Sequence, residues 1–364
     1  MSSVKKQLKV LSFPALPFLA FLFLFQVPTA AQILGVLPTG MSPDSVDFTE
    51  TELYVLSRGT ISVFSLPAIV FKHSFGGSGS GPGKLSPNHS FDQAIRVIGG
   101  RVLAEDNDKL IIFSAAGQFV EEKRKPHNTA WFVPIGDRFV AKHMVVSGSP
   151  PVQYIRLVIY DSQLREIKEL YRQKWFQQQN PNGFSTVLLG DLLHFAVVRE
   201  RICVDESPKG FFVELFDLDG NRVSAIGKPY AGVPVTERDR ERELALVRKE
   251  KRVAAMIARA GSWDQLQRIW TISFPEITPA LRELQASGDN LLVRTFERKE
   301  NTEKYLMLDL KGGVQQELFF PVLSDAETEA RVAGTAFFKL IGNRFYYLRQ
   351  NAESNAWKVH MARK

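Results

Sequence analysis

Among the 364 residues there is one cysteine, Cys203. It has no partner for an intramolecular disulfide, so the fold is held by its core and not by covalent staples. A large charge excess is also missing. Lys and Arg number 46 against 39 Asp and Glu, for a formal charge of +7. Lys5, Lys6 and Lys9 stand before an uncharged run from Val10 to Val27, and VPTAAQ follows it. Thr29 and Ala31 suit a small-residue cleavage site, which completes the tripartite pattern of a secretory signal. Removing residues 1–31 lowers the charge from +7 to +4. That is too little to imply nucleic acid. A lipoprotein would need a cysteine at the cleavage site, and none is there. An uncleaved membrane anchor is the alternative, but Pro14 and Pro17 interrupt its apolar run. The expectation is an exported monomer, periplasmic or secreted, with no membrane span after cleavage.

Compact chemical motifs are lacking as well. The six histidines, His73, His89, His127, His143, His194 and His360, form no HxH or HxxxH pair. Metal ligation is therefore not expected, although ligands drawn from distant segments leave a divalent cation open. Asp106, Asn107 and Asp108 carry oxygen ligands that suit Ca²⁺, and equally suit a polar turn. No Ser-His-Asp signature is present, and no nucleophilic role is expected of Cys203. The stretch FGGSGSGPGKL at 75–85 is rich in glycine, but Lys84 is followed by Leu85. A phosphate loop needs Gly-Lys-Ser/Thr opening a helix. The one NxS sequon, at Asn88, matters only in a eukaryotic host.

What is present is a long series of short strands. LYVLS (53–57), TISVF (60–64), KLIIF (109–113), RLVIY (156–160), FFVELF (211–216), KYLMLDL (304–310) and RFYYL (344–348) are β-branched or aromatic and bounded by turn residues. Two patterns alternate along the chain. One is a tight turn leading into a strand: TELYVL from Thr51, GGRVLA from Gly99, GDRFVA from Gly136, GDLLHF from Gly190, GDNLLV from Gly288 and GNRFYY from Gly342. The other is strand-turn-strand, as in VFSLPAIVF, IFSAAGQFV, IYDSQLREI, LFDLDGNRV and MLDLKGGVQ. A tight-turn copy followed by a strand-turn-strand copy makes a four-stranded unit, the signature of a propeller blade. Six units predict an all-β, six-bladed β-propeller over 32–364. The last unit is one strand short, and ILGVLPT (33–39) is placed to supply it.

The gap between Gly190 and Gly288 is nearly twice the usual spacing and holds a predicted helix, Glu237 to Ala260, within an insertion at about 236–262. Thr236 and Asp239 form a capping-box arrangement, and Gly261 stands at the C-terminal end. Leu246, Val253, Ile257 and Ala260 make a narrow apolar stripe suited to docking on the propeller edge.

FGGSGSGPGKLSP followed by VIGGRVLAEDNDKLIIFSAAGQFVEE, over 75–122, resembles the NHL-type repeat of six-bladed propellers, with FDLDGNRV (216–223) next best. The whole chain looks like secreted bacterial six-bladed propellers of undefined function. The resemblance implies that glycines 76–83 cross from the outer strand of one blade to the inner strand of the next.

Long connections are predicted at 76–91, 144–153, 173–183, 203–210, 228–275 and 321–334, all on one face. Function follows such loops on a rigid scaffold. The second strands end on that face at Arg58, Asp106, His143, Arg199, Arg294 and Arg349, with His127 in a crossing. A mainly cationic ring of this kind suits an anionic group. His194 is read as packed within a strand. Trp131, Trp175, Phe176, Phe184, Tyr230, Trp263 and Trp270 flank the crossings and serve either packing or stacking on a ligand. The first expectation is a non-enzymatic module that binds a protein, peptide or carbohydrate on the long-looped face. The second is a lactonase- or lyase-like enzyme with a divalent cation on the axis.

Overall fold

A computed structural model describes residues 31–364 apart from 87–92, 150, 176, 181–182, 191, 206–209, 250, 323–336, 352 and 364. The expected signal, the Asn88 sequon and Phe176 lie outside the described residues.

The chain enters on β1 (Gln32–Val36). Blade 1 follows as β2 (Ser45–Phe48), β3 (Glu52–Ser57), β4 (Thr60–Ser65) and β5 (Phe71–Gly76). Blade 2 is β6 (Ala94–Ile98), β7 (Arg101–Glu105), β8 (Lys109–Ser114) and β9 (Phe119–Arg124). Blade 3 is β10 (Thr129–Ile135), β11 (Arg138–Ser147), β12 (Val152–Tyr160) and β13 (Glu166–Lys174). A hairpin, β14 (Gln177–Asn180) and β15 (Gly183–Val187), precedes blade 4. Blade 4 is β16 (Phe195–Val198), β17 (Arg201–Asp205), β18 (Phe211–Phe216) and β19 (Arg222–Lys228). Helices α1 (Glu237–Lys249), α2 (Lys251–Ala260) and α3 (Trp263–Gln267) come next, then β20 (Trp270–Ser273). Blade 5 is β21 (Glu283–Ser287), β22 (Asn290–Lys299), β23 (Thr302–Leu308) and β24 (Val314–Pro321). Blade 6 is β25 (Phe338–Ile341), β26 (Arg344–Gln350) and β27 (Trp357–Arg363), completed by β1.

Every blade is a four-stranded antiparallel meander. Together they form the six-bladed propeller expected from the repeats. The N-terminal strand closes it as predicted, with Gln32 opposite Met361 and Val36 opposite Lys358. Closure pairs β27, which would otherwise be an open edge.

The core is divided between the blades. Side chains alternate across each strand, so each blade offers an apolar face to both neighbours. One buried cluster fills each of the six interfaces. Tyr54 and Leu56 meet Ile95 and Ala104 between blades 1 and 2. Leu103 and Ile112 meet Phe132 and Tyr160 between blades 2 and 3. Val140 and Ile159 meet Ile202 and Phe216 between blades 3 and 4. Val213 and Cys203 meet Leu291 and Val293 between blades 4 and 5. Tyr305 and Phe320 meet Phe338 and Phe345 between blades 5 and 6. Phe48 and Val55 meet Tyr346 and Trp357 between blades 6 and 1.

The glycine crossing runs from β5 to β6 as the resemblance implied. Gly83 (φ 69°) shows why glycine is needed there, since a Cβ would lie 3.0 Å from the Phe119 ring.

The insertion is helical where predicted, over Glu237–Lys249 and Lys251–Ala260, and the caps are as read. The Asp239 N–H donates to Thr236 Oγ1 at 3.2 Å, and the Thr236 N–H donates to Asp239 Oδ2 at 3.0 Å. Gly261 (φ 92°) donates to the Ile257 carbonyl at 2.9 Å. The apolar stripe does not dock on a blade edge alone. Val247, Val253, Leu266 and Trp270 form a seventh cluster with Phe184, Met256 and Ile257. Strand β20 pairs in parallel with β15, Phe184 opposite Trp270. The crossings on either side of blade 4 are thereby zipped into one small module. Among the described residues, no helix is long and apolar enough to cross a membrane.

Candidate ligand site at the long-looped end of the axis

The two ends of the ring are unequal. At one end, the turns 49–51, 99–100, 136–137, 199–200, 288–289 and 342–343 join first to second strands. The turns 66–70, 115–118, 161–165, 217–221 and 309–313 lie at the same end, and none exceeds five residues. The other end carries the connections 77–93, 175–194, 229–282 and 322–337. Loop length is concentrated as expected, although 144–153 is mostly strand: β11 runs to Ser147 and β12 begins at Val152.

The residues singled out from the sequence fare differently. Arg58 is exposed in the β3–β4 turn, and its N–H donates to Asp44 Oδ2 at 2.8 Å. His127 is exposed in the crossing into blade 3. Arg349 is exposed near the end of β26. These three and the next three lie at the long-looped end. Asp106 is fully buried. It accepts the N–H groups of Ser86 and Asn107 and the Gln93 amide, and its own carbonyl accepts Lys125 Nζ at 2.6 Å. Its oxygens hold the crossing in place. His143 Nδ1 accepts the Arg156 guanidinium at 2.7 Å, which leaves the ring proton on Nε2. Burial and then Arg156 depress its pKa. Arg294 is buried and bonded to Glu303.

Arg199 is the correction. The sequence reading set the blade 4 turn at Gly190. The hairpin actually turns at Arg199 and Glu200, so Gly190 lies in the crossing and Arg199 at the tight-turn end. There it pairs with Asp289 of blade 5 at 2.5 Å, both side chains well exposed.

A different set of residues stands at the entry to the innermost strands. Six equivalent residues precede the innermost strands: Asp44, Gln93, Asn128, His194, Arg282 and Phe337. Backbone bonds to the second strand fix their level. The Arg282 N–H donates to the Arg294 carbonyl at 2.8 Å, and the Asp205 N–H donates to the His194 carbonyl at 3.0 Å. His194, read as packed, therefore stands at the mouth of the axis. Lys142 lies near this level on β11, opposite Ala130. Its Nζ sits 4.3 Å from the centre of the Trp131 ring.

The charges here are unbalanced. Arg96 reaches Glu105 at 2.7 Å, and Glu105 also accepts the N–H groups of Trp131 and Phe132 at 2.8 Å each. Arg282, Arg294 and Arg298 all converge on Glu303, whose side chain is fully buried. Burial alone would raise the Glu303 pKa, but the three guanidiniums hold it at about 2. Burial raises the pKa of Glu283, against the opposing pull of Arg294. His194 is pushed down to about 3 by burial, then by Lys142, Arg282 and Arg294, so its imidazole is neutral. Burial, then Arg96, pulls Lys142 down to about 7, with only Glu283 opposing. The mouth is thus a cationic site drawn from blades 2, 3, 4 and 5.

Among the described residues, no three His, Cys, Asp or Glu side chains come together to hold a metal ion. Cys203 is buried between blades 4 and 5, and burial pushes its thiol up to about 12.

No family model matches the chain, and no curated protein matches it. Among solved structures, the chain is similar to the AfRom2 CNH domain, with a TM-score of 0.40 and 9% identity over 91% of this chain and 98% of that one. It is also similar to Hsv2 of Kluyveromyces lactis, with a TM-score of 0.36 and 9% identity over 88% and 98%. BamB of Moraxella catarrhalis gives 0.31 and 10% over 86% and 68%. At these scores the functional reading rests on this chain's own residues.

Proposed function

We propose that the protein is an exported, non-enzymatic binding module of NHL-type kinship that holds a peptide, protein or carbohydrate on its long-looped end. The observation that carries this is the asymmetry of the ring. Six short hairpin turns close one end, while four long crossings and the helical module rise at the other around a cationic mouth. Binding surfaces are built this way, from loops on a scaffold too stiff to follow them. The alternative lactonase- or lyase-like activity needs convergent metal ligands, and His194 at the mouth instead lies near Lys142, Arg282 and Arg294.

The test is a binding screen of the purified protein against peptide and glycan arrays, with metal content measured alongside. Binding lost on substituting Arg58 and Arg349 together, and kept in Arg199→Ala, supports the reading. Binding that depends on Arg199, or one tightly held divalent ion whose removal abolishes a lactonase or lyase activity, overturns it.

A further inference from the structure

We propose that the mouth of the axis takes the carboxylate of a ligand, with Lys142 as its counter-ion and the Trp131 ring as the apolar wall beside it. This rests on the long-looped end being the binding end, and it names the chemistry that end recognises.

The argument begins with which cations are already committed. Arg96 is bonded to Glu105. Arg282, Arg294 and Arg298 share Glu303, and Arg294 also lies 3.7 Å from Glu283. Lys142 makes no ion pair with any described residue. It faces Arg96 of β6, Glu283 of β21 and His194 ahead of β16, and Trp131 gives it only a ring face. A partly buried ammonium without a carboxylate is a standing cost to the fold. Residues kept at such a cost are commonly functional.

Trp131 carries a second, independent mark. Its φ is 61°, in the left-handed region that a bulky side chain seldom adopts. It sits at an irregularity of the β10–β11 pairing, between Ala130 and Val133. Glu105 Oε2 holds its N–H at 2.8 Å. One carboxylate thus fixes both Arg96 and the backbone that sets the Trp131 ring under Lys142. A strained aromatic held against an unmatched cation is a preformed wall and anchor.

The charge count selects the ligand. One uncommitted ammonium matches a monoanion. A phosphate dianion would want guanidinium forks, and the forks here already serve Glu105 and Glu303. The neutral His194 imidazole adds a hydrogen-bond donor without adding charge. A carboxylate attached to an apolar body fits both the lysine and the indole.

The test is the reactivity of Lys142 towards acetic anhydride, followed by peptide mass spectrometry on the purified chain as pH is varied, with benzoate as the probe. Without benzoate, half-maximal reactivity is expected at about 7. Benzoate at about 50 mM should move that midpoint up by roughly one pH unit and slow labelling near neutrality about fivefold, because a bound anion favours the protonated amine. Lys168, half-buried at the tight-turn end, should not respond. An unmoved midpoint overturns the inference, and so does an equal shift with inorganic phosphate at matched ionic strength. K142M should lose any benzoate-dependent rise in Tm, and a rise that persists overturns the assignment to Lys142. An array ligand that protects Lys84 on the long-looped end, while benzoate leaves Lys142 unmoved, would preserve the binding reading and remove only this inference.

Discussion

Lys339 of β25 reaches Asp47 of β2, with Nζ 2.6 Å from Oδ1, and so joins the last blade to the first beside the axis. The same carboxylate accepts the Val97 N–H of blade 2 at 2.6 Å and the Phe48 N–H at 2.8 Å. One side chain therefore ties three successive blades. Ser45 repeats the device one level away, accepting the Ile95 N–H at 3.0 Å.

The two partners should not be equivalent on mutation. Lys339 is partly exposed, and K339M removes one screened pair, worth under about 1 kcal/mol. Asp47→Ala also orphans inner-strand N–H groups and should cost about 2–3 kcal/mol. Urea unfolding of both variants checks this, and a larger loss in K339M would show that the ion pair dominates the backbone bonds.

Glu303 sets the acid limit of the fold. Its carboxyl is held at about 2 in the ring against an ordinary 4.5. The unfolded chain therefore binds a proton between those values that the folded chain refuses. Its stabilisation is complete above about 4.5 and is lost as pH falls towards about 2. The full loss is on the order of 3 kcal/mol. His194 adds to the same slope between about 6.5 and about 3. E303Q should be destabilised at neutral pH, with three guanidiniums left short of a counter-charge, and should show a shallower acid limb in chemical denaturation.

The closing strand should be indispensable. Deleting residues 32–36 strips β27 of its partner and exposes the blade 6 edge. The shortened chain should self-associate on size-exclusion chromatography and lose a single cooperative melt, since an open edge is a template for pairing. A monomer with an unchanged Tm would show that the strand only decorates the ring.

The ring was legible in the sequence because propeller physics repeats. Four blades have a glycine of positive φ in their first turn, at Gly99, Gly136, Gly288 and Gly342, and each marks the start of a second strand. Blade 4 broke the pattern. Its turn is Arg199-Glu200, and Arg199 itself takes the positive φ, while the Gly190-Asp191 pair imitates the signal. That displaced Arg199 to the wrong end and hid His194. The axis residues were less legible because no local motif marks them. Counting back five or six positions from each turn finds Gln93, His194, Arg282 and Phe337, but only once the turns are known. In blade 3 the irregularity at Trp131 lengthens the count to eight. Lys142 could not be found this way, since its position matters only through Arg96 and Glu283, which are distant in the chain.

The insertion should melt apart from the ring. Its cluster joins Val247, Val253, Leu266 and Trp270 to Phe184 and shares no member with the six inter-blade clusters. Trp270 is its centre. Its Nε1–H donates to Thr186 Oγ1 at 2.8 Å, and its ring lies 5.2 Å from Phe184 and 5.9 Å from Trp263. W270A removes the largest buried surface of a small core, at about 3–5 kcal/mol, more than such a core can spare. Hydrogen exchange should then show residues 237–273 unprotected while β7, β17 and β22 keep their protection, because opening is local where the packing is local. The two ends of the module are anchored at blade 4 and blade 5, and Glu243 of α1 acts on Arg282 at the mouth. Melting the module should consequently weaken ligand binding without lowering the main thermal transition by more than a few degrees. Loss of protection throughout blades 3 to 5 would mean instead that the module is part of the ring's own core.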